Sequence, residues 1–432
     1  MAAADKSKPL EEVVPDLLPA IRNSGILADR QFTDLRARVQ AGAYPSESRA
    51  LARRLVQDGV LTEFQAGRLL GNKSQGLMVG RYVILDRIGS GSMGRVYKAH
   101  HPLMGRVVAL KIIAPEISQN ARVVARFQRE IKLVGRLDHP NVVRAFDADQ
   151  VGSMLYIVME YVKGESLGRL LRTRGVFPPG EVAAYGAQAA LGLAHAHAQG
   201  IVHRDIKPSN LFLSHEGQLK VLDLGLGALM EADEEATFAT ADGIAVGTVD
   251  YMSPEQATGR DVDGRSDLFS LGCTMYHLVT GRIPFPGDSP IDRLGRRLSG
   301  RPVPVLESRA DVPGSLVKVL DRLMANHPAA RYQSAEEVAD ALTALRRRPS
   351  RSASRIPTPA AEVALPPPTP PPPEPEPYVV TVAAAGPDFP AWFRPLARLA
   401  THAPAAALVA LLGGLVAAFG AGFGLAWLLK SH

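Results

Sequence analysis

The sequence predicts an α+β chain of two unequal lobes, a small β-rich lobe followed by a larger helical one, and three observations carry that expectation. Residues 82–88, 96–100 and 107–113 are short runs rich in β-branched and aromatic residues, with a glycine-rich turn joining the first two. Residues 122–137 then show helical spacing, closed by Asp138-His-Pro140, where proline cannot continue a helix. After one more strand at 155–161, helical spacing dominates from Gly164 onward, interrupted by short strands near Asn210 and Leu222.

Outside this block the texture changes. Before residue 79, the stretches 14–21, 30–39, 48–56 and 62–70 carry apolar residues near helical spacing, which predicts a small bundle of three or four helices as an N-terminal extension over 1–78. A docking module and a plain extension of the lobe surface are both open there. The two-lobed domain is expected over 79–347. Residues 348–403 contain the proline-rich run Pro366 to Pro377, which favours an extended, disordered tether lacking the apolar residues of a core. Over 404–429, Ala405 to Leu429 forms 25 consecutive uncharged residues. As a helix it would be about 37 Å long, enough to cross a bilayer with some tilt. Arg394, Arg398 and His402 precede it, so the expected topology is a single-pass C-terminal anchor in the cell membrane with the large domain cytoplasmic. Gly414, Ala418, Gly422 and Ala426 recur every four residues along it. Small residues at that spacing let two helices approach closely, and glycine is also common in membrane helices generally, so a homodimer through this face is one of two equal alternatives.

Bulk numbers exclude some classes. The 432 residues carry a formal net charge of +6, but the clearest basic cluster, 346–355, adjoins the proline-rich run and has no interleaved aromatics. No nucleic-acid partner is expected from that pattern. The single cysteine, Cys273, has no internal disulfide partner and sits in an apolar helical stretch, which reads as a buried structural thiol in a reducing compartment. The polar opening, Met1 to Lys8, has no apolar core behind it, so no secretory signal is expected there.

The chemistry lies in an ordered series of short motifs. Gly89-Ser90-Gly91-Ser92-Met93-Gly94-Arg-Val96 joins two strands, whereas a dinucleotide-binding turn would join a strand to a helix. Its glycines let backbone amides approach phosphates without side-chain clash. Lys111, in Val108-Ala109-Leu-Lys111, supplies a point cation for phosphate, and Glu130 on the following helix is the best-placed carboxylate to hold it. Asp205, in His203-Arg204-Asp205-Ile-Lys207-Pro-Ser-Asn210, would orient an acceptor hydroxyl and take its proton. Asn210 and Asp223 are hard oxygen donors of the kind Mg²⁺ prefers, with Mn²⁺ as an alternative, and Lys207 would place positive charge beside a transferring phosphoryl group. This set implies transfer of the ATP γ-phosphoryl group to a hydroxyl.

On these motifs, residues 82–345 resemble a eukaryotic-type (Hanks-type) serine/threonine protein kinase of the bacterial transmembrane class, with the bilobal protein kinase fold. Leu61-Thr-Glu-Phe-Gln-Ala66 and Gly80-Arg-Tyr82 resemble the entry to such kinases in planctomycete-like bacteria. The resemblance implies proteins as substrates and ATP as cofactor, bound also by Ile88, Ala109 and Phe212, with Met159 as gatekeeper and Glu160 to Val162 as the adenine-contacting hinge. It further implies that Lys207 marks the serine/threonine form, that Thr248 bridges Asp205 and Lys207, that Glu255 pairs with Arg331, and that Asp267 braces the catalytic loop. Leu224 departs from the usual phenylalanine yet still offers an apolar side chain to pack under the helix.

Regulation is expected through Arg204, beside the base, receiving a phosphate from the activation segment at Thr237 or Thr240 by autophosphorylation. Glu231, Asp233, Glu234 and Glu235 would mimic part of that charge. The competing expectation is a silent nucleotide-binding scaffold, and the presence together of Lys111, Asp205, Asn210 and Asp223 favours the enzyme.

Overall fold

The computed structural model describes residues 16–91, 94–118, 121–224 and 249–347. Ser92, Met93, Thr237, Thr240, Thr248, the proline-rich run and the apolar C-terminal stretch lie outside those residues. Among the described residues no helix is long and apolar enough to cross a membrane.

Four short helices open the chain: α1 (Leu17–Ser24), α2 (Asp29–Gln40), α3 (Ser48–Gln57) and α4 (Glu63–Leu70). None is long enough to be stable alone, so their order comes from a shared core. Leu17, Ile21, Leu51, Leu55 and Leu69 are each at most 1% exposed, and each such burial contributes roughly 1.5–3 kcal/mol. Leu77 belongs to the same core and Met78 and Val83 pack against it, so the bundle runs into the next lobe without a gap. Thr62 caps α4 in a reciprocal box with Gln65, a pattern readable in Thr-Glu-Phe-Gln.

The small lobe is an antiparallel sheet of six strands in the order β1-β2-β3-β4-β6-β5. These are β1 (Met78–Val79), β2 (Tyr82–Gly91), β3 (Gly94–His101), β4 (Arg106–Ile113), β5 (Ala145–Val151) and β6 (Met154–Glu160). One face buries Tyr82, Ile84, Val108, Tyr156 and Val158. On the other, Phe127 of α6 (Ala121–Val134) packs with Ile113, Leu155 and Ile157. A single turn, α5 (Pro115–Ser118), precedes α6. Sequence reading missed β5 because Asp147, Asp149 and Gln150 give it no apolar alternation; it is an edge strand with most positions exposed.

The larger lobe starts with β7 (Gly164–Ser166), α7 (Leu167–Arg174) and α8 (Pro179–Ala198), then β8 (Leu211–Ser214) and β9 (Leu219–Val221), with β7, β8 and β9 forming a three-stranded sheet. After α9 (Pro254–Ala257) comes α10 (Gly264–Thr280), buried along most of its length, as a central helix must be. Then come α11 (Pro290–Ser299), α12 (Val305–Ser308), α13 (Gly314–Leu323) and α14 (Ala335–Arg347). Cys273 is fully buried in α10, and burial pushes its thiol up to about 12, so it has no thiolate to react with.

Candidate active site

A cleft of about 810 Å³ is lined by Gly89, Ser90, Gly91, Gly94 and Val96 of the β2–β3 hairpin, Lys111 of β4, and Asp205, Lys207, Asn210 and Asp223 of the helical lobe. Ten of the residues expected from sequence to meet phosphate, metal or acceptor thus border one space. Ile88, Ala109, Met159, Glu160, Val162 and Phe212 are not among its lining residues. They lie on neighbouring elements: Ala109 pairs with Met159 across β4 and β6, and Phe212 pairs with Ser166 across β8 and β7.

Gly94 shows why the hairpin turn needs glycine. Its φ is 137°, and a Cβ there would sit 2.0 Å from the carbonyl oxygen of Ile112, an impossible approach.

The lower wall of the cleft is built around a buried carboxylate. Asp267 in the first turn of α10 is 0% exposed, and it accepts hydrogen bonds from the backbone amides of His203 and Arg204, each at 2.8 Å, with His197 Nε2 also 2.8 Å away. His203 donates from Nε2 to the Leu222 carbonyl at 2.7 Å and accepts from the Asp205 amide at Nδ1, which ties the loop to the strand end before Asp223. Arg204 and Asp223 hold left-handed backbone, φ 65° and 57°. Each costs about 1–2 kcal/mol for a residue with a Cβ, which this network sustains.

That network places the catalytic-loop side chains. Lys207 Nζ and Asn210 Nδ2 reach Asp205 Oδ2 at 2.8 and 3.1 Å, and Asn210 Nδ2 also donates to the Asp205 carbonyl at 2.8 Å. Among the described residues both side-chain contacts fall on Oδ2, which leaves Oδ1 to an acceptor hydroxyl. With Nδ2 so engaged, the Asn210 amide oxygen is the atom available to a cation, and the Asp223 carboxylate borders the same cleft. Two hard oxygen donors on one wall fit Mg²⁺.

The upper wall differs from expectation. Lys111, 4% exposed, sits 2.8 Å from Asp223 Oδ1, and among the described residues no ion pair joins it to Glu130. A buried ammonium needs an anion, and here Asp223 supplies it. Phe127 anchors α6 in the core while Glu130 stays half-exposed on that helix. The expected Lys111–Glu130 pair is not formed in this arrangement, where Lys111 pairs with Asp223. Glu160 directs its carboxylate to Lys220 at 3.0 Å, which leaves its backbone as the part that can serve as a hinge.

The substrate-side loop is clamped from below. Glu255 takes two hydrogen bonds from Arg331, at 2.6 and 2.8 Å, and a third from the Ser266 hydroxyl at 2.6 Å. Burial pulls the Glu255 carboxyl up, but the bonds from Arg331 and Ser266 outweigh it and hold the group below its ordinary value. Sequence reading missed two further clamps. Gln256 donates to the Arg204 carbonyl at 2.8 Å, and Ser253-Pro-Glu-Gln256 carries the capping-box signature that could have drawn attention to it. Arg297 of α11, fully buried, donates to the carbonyls of Val249 and Asp250, while Arg293 pairs with the Asp250 carboxylate at 2.6 Å. A basic helix on its own gives no hint of such a role.

The model of the protein kinase domain matches residues 82–341, more than half the chain. The chain belongs to the protein kinase family. Among curated proteins, it is similar to PrkC of Bacillus subtilis, a serine/threonine-protein kinase, with 37% identity over 61% of this chain and 40% of that one. It is also 40% identical to the serine/threonine-protein kinase pkn2 of Myxococcus xanthus, over 61% of this chain and 32% of that one. The chain thus spans less than half the length of these relatives. Among solved structures, a variant of the Mycobacterium tuberculosis PknI kinase domain is 31% identical with a TM-score of 0.50, covering 62% of this chain and 97% of that one. These likenesses place the kinase domain among the bacterial Hanks-type enzymes.

Proposed function

We propose that this kinase transfers the γ-phosphoryl group of ATP to serine or threonine hydroxyls of proteins, its own activation segment included. The observation that carries the reading is Asp205, held by Lys207 and Asn210 on Oδ2 within the cleft that the glycine-rich hairpin roofs. Asp205 Oδ1 accepts the proton of the incoming hydroxyl as the new O–P bond forms. The bond between the γ-phosphorus and the bridging oxygen breaks, and ADP leaves. Lys207 sets positive charge beside the transferring group, and Lys111 does so beside the other phosphates. Mg²⁺, held by Asn210 and Asp223, would neutralise phosphate charge when bound. The charge carried by Lys111 in this arrangement falls on Asp223, so nucleotide and cation binding would free Lys111 toward phosphate and toward Glu130.

The uncharged 405–429 stretch supports tethering at a membrane, with the kinase domain on the cytoplasmic side and dimerisation through its small-residue face. Transfer of label from radiolabelled ATP to a basic generic protein substrate, by the full chain in detergent, tests the catalytic reading. Asp205→Asn should lower the rate by about 10²- to 10⁴-fold; equal labelling by parent and variant would overturn it in favour of a silent scaffold.

A further inference from the structure

The four-helix N-terminal unit lies outside the kinase motifs, yet it grips the strand that launches the glycine-rich turn. Strand β2 has two register breaks against β3, one between Ile84 and Asp86 and one between Arg87 and Gly89. Each leaves one residue without a counterpart, Leu85 in the first and Ile88 in the second, and such bulges bend a strand and re-aim the residues beyond them. The first turn of α4 meets the first bulge. Gln65 Nε2 donates to the Ile84 carbonyl at 2.7 Å, and the Thr62 hydroxyl donates to the Leu85 carbonyl at 2.5 Å. Gln65 is 3% exposed, and its other end accepts from the Thr62 amide at 2.9 Å, so the side chain is committed at both ends. Between these two residues, Phe64 packs on Tyr97 with ring centroids 6.3 Å apart, and Tyr97 stands opposite Arg87 in β3, between the two breaks. The Ile84 amide completes the joint by donating to the Leu77 carbonyl at 2.9 Å.

We infer that Thr62 and Gln65 are positioning residues for ATP, acting through the β2 bulge to set where Gly89, Ser90 and Gly91 lie over the cleft. A helix that merely covered a sheet edge would shield it by apolar contact. Here two polar side chains meet two consecutive carbonyls at the bulge, four to five residues before Gly89, and an aromatic contact fixes the opposite strand of the same hairpin. A hairpin rooted this way is ordered before nucleotide arrives, so less freedom is lost when its amides close on phosphate. The same saving applies to ground state and transition state, so its loss should raise KM for ATP and leave kcat alone. The inference rests on the ATP-dependent reading above.

The test uses the full chain with Gln65→Met, Thr62→Val and Thr62→Ser. Mg²⁺·ATP affinity is measured directly by calorimetry, alongside steady-state kinetics and a thermal melt. Gln65→Met and Thr62→Val should each raise Kd and KM for ATP by about five- to tenfold, within the range of the net contribution of a buried hydrogen bond. The kcat and the KM for the protein substrate should stay within about twofold, and Thr62→Ser, which keeps the hydroxyl, should behave as the parent. Variants that melt lower but bind ATP within twofold of the parent would overturn the inference and leave the unit a stabilising buttress. Should Gln65→Met fail to fold, Thr62→Val against Thr62→Ser decides the same question. A parent that binds ATP without transferring phosphate would defeat the catalytic reading, while the calorimetric comparison would still decide on the brace.

Discussion

The two walls of the cleft are organised by different means. The lower wall is fixed from inside: the buried Asp267 carboxylate holds the backbone of His203 and Arg204, and through them Asp205, Lys207 and Asn210 take their places. On the upper wall, Lys111 has its only described anion on the opposite lobe, and Glu130 stands apart on α6. On the proposed mechanism the first wall is the fixed one and the second, whose lysine must turn to phosphate, the adjustable one, with proton handling in the former and nucleotide response in the latter.

The sharpest way to break this contrast is at Asp267. In Asp267→Asn, one backbone amide or His197 would face an NH₂ group at a fully buried position, and an unmet buried donor costs about 1–3 kcal/mol. The catalytic loop would shift with it, and a displacement near 1 Å costs about 10²-fold in rate. We expect kcat to fall by about that factor, with KM for ATP within a few-fold, because the hairpin and Lys111 do not depend on Asp267. An equal fall in ATP affinity would show that the two walls are one unit.

The Glu255–Arg331 pair probes the same wall through stability. Both side chains are buried, at 6% and 0% exposure, and removing one partner of such a pair costs about 3–5 kcal/mol. Arg331→Met should lose that amount in urea unfolding at pH 7. Because the folded carboxyl titrates below its ordinary value of 4.5, the parent holds this stabilisation in full above that pH and loses it as pH falls through the folded value. The stability difference between parent and variant should therefore shrink below about pH 4.5; a constant difference down to pH 3 would mean that the pair is not the source.

Legibility in the sequence divides along the same line. Asp205, Lys207 and Asn210 were legible because their chemistry lies within six consecutive residues, where chain geometry alone brings them together. The Lys111 partner was not, because Glu130 and Asp223 are both plausible anions by spacing and only the placement of α6 chooses between them. Thr62 and Gln65 announce a helix start, yet nothing in a capping signature tells that the same two side chains reach Ile84 and Leu85. Arg297 reads as a surface cation of an amphipathic helix, and its burial against the Val249 and Asp250 carbonyls is a tertiary fact. Local chemistry is written locally, and contacts between elements are not.

Glu130 gives the finest test of the adjustable wall. In the arrangement seen here it makes no ion pair with Lys111, so Glu130→Gln removes nothing that holds the fold, and its melting temperature should match the parent within about 1 °C. If nucleotide draws Lys111 away from Asp223 and onto Glu130 during turnover, the variant should lose about tenfold in kcat/KM for ATP, since the ammonium would lack its anion only in the working state. The two numbers must be read together. Unchanged stability with reduced turnover would show that the pair forms only in the nucleotide-bound enzyme, as the adjustable wall requires. Unchanged turnover would leave Asp223 as the working partner of Lys111 throughout, and the upper wall would then be as pre-set as the lower.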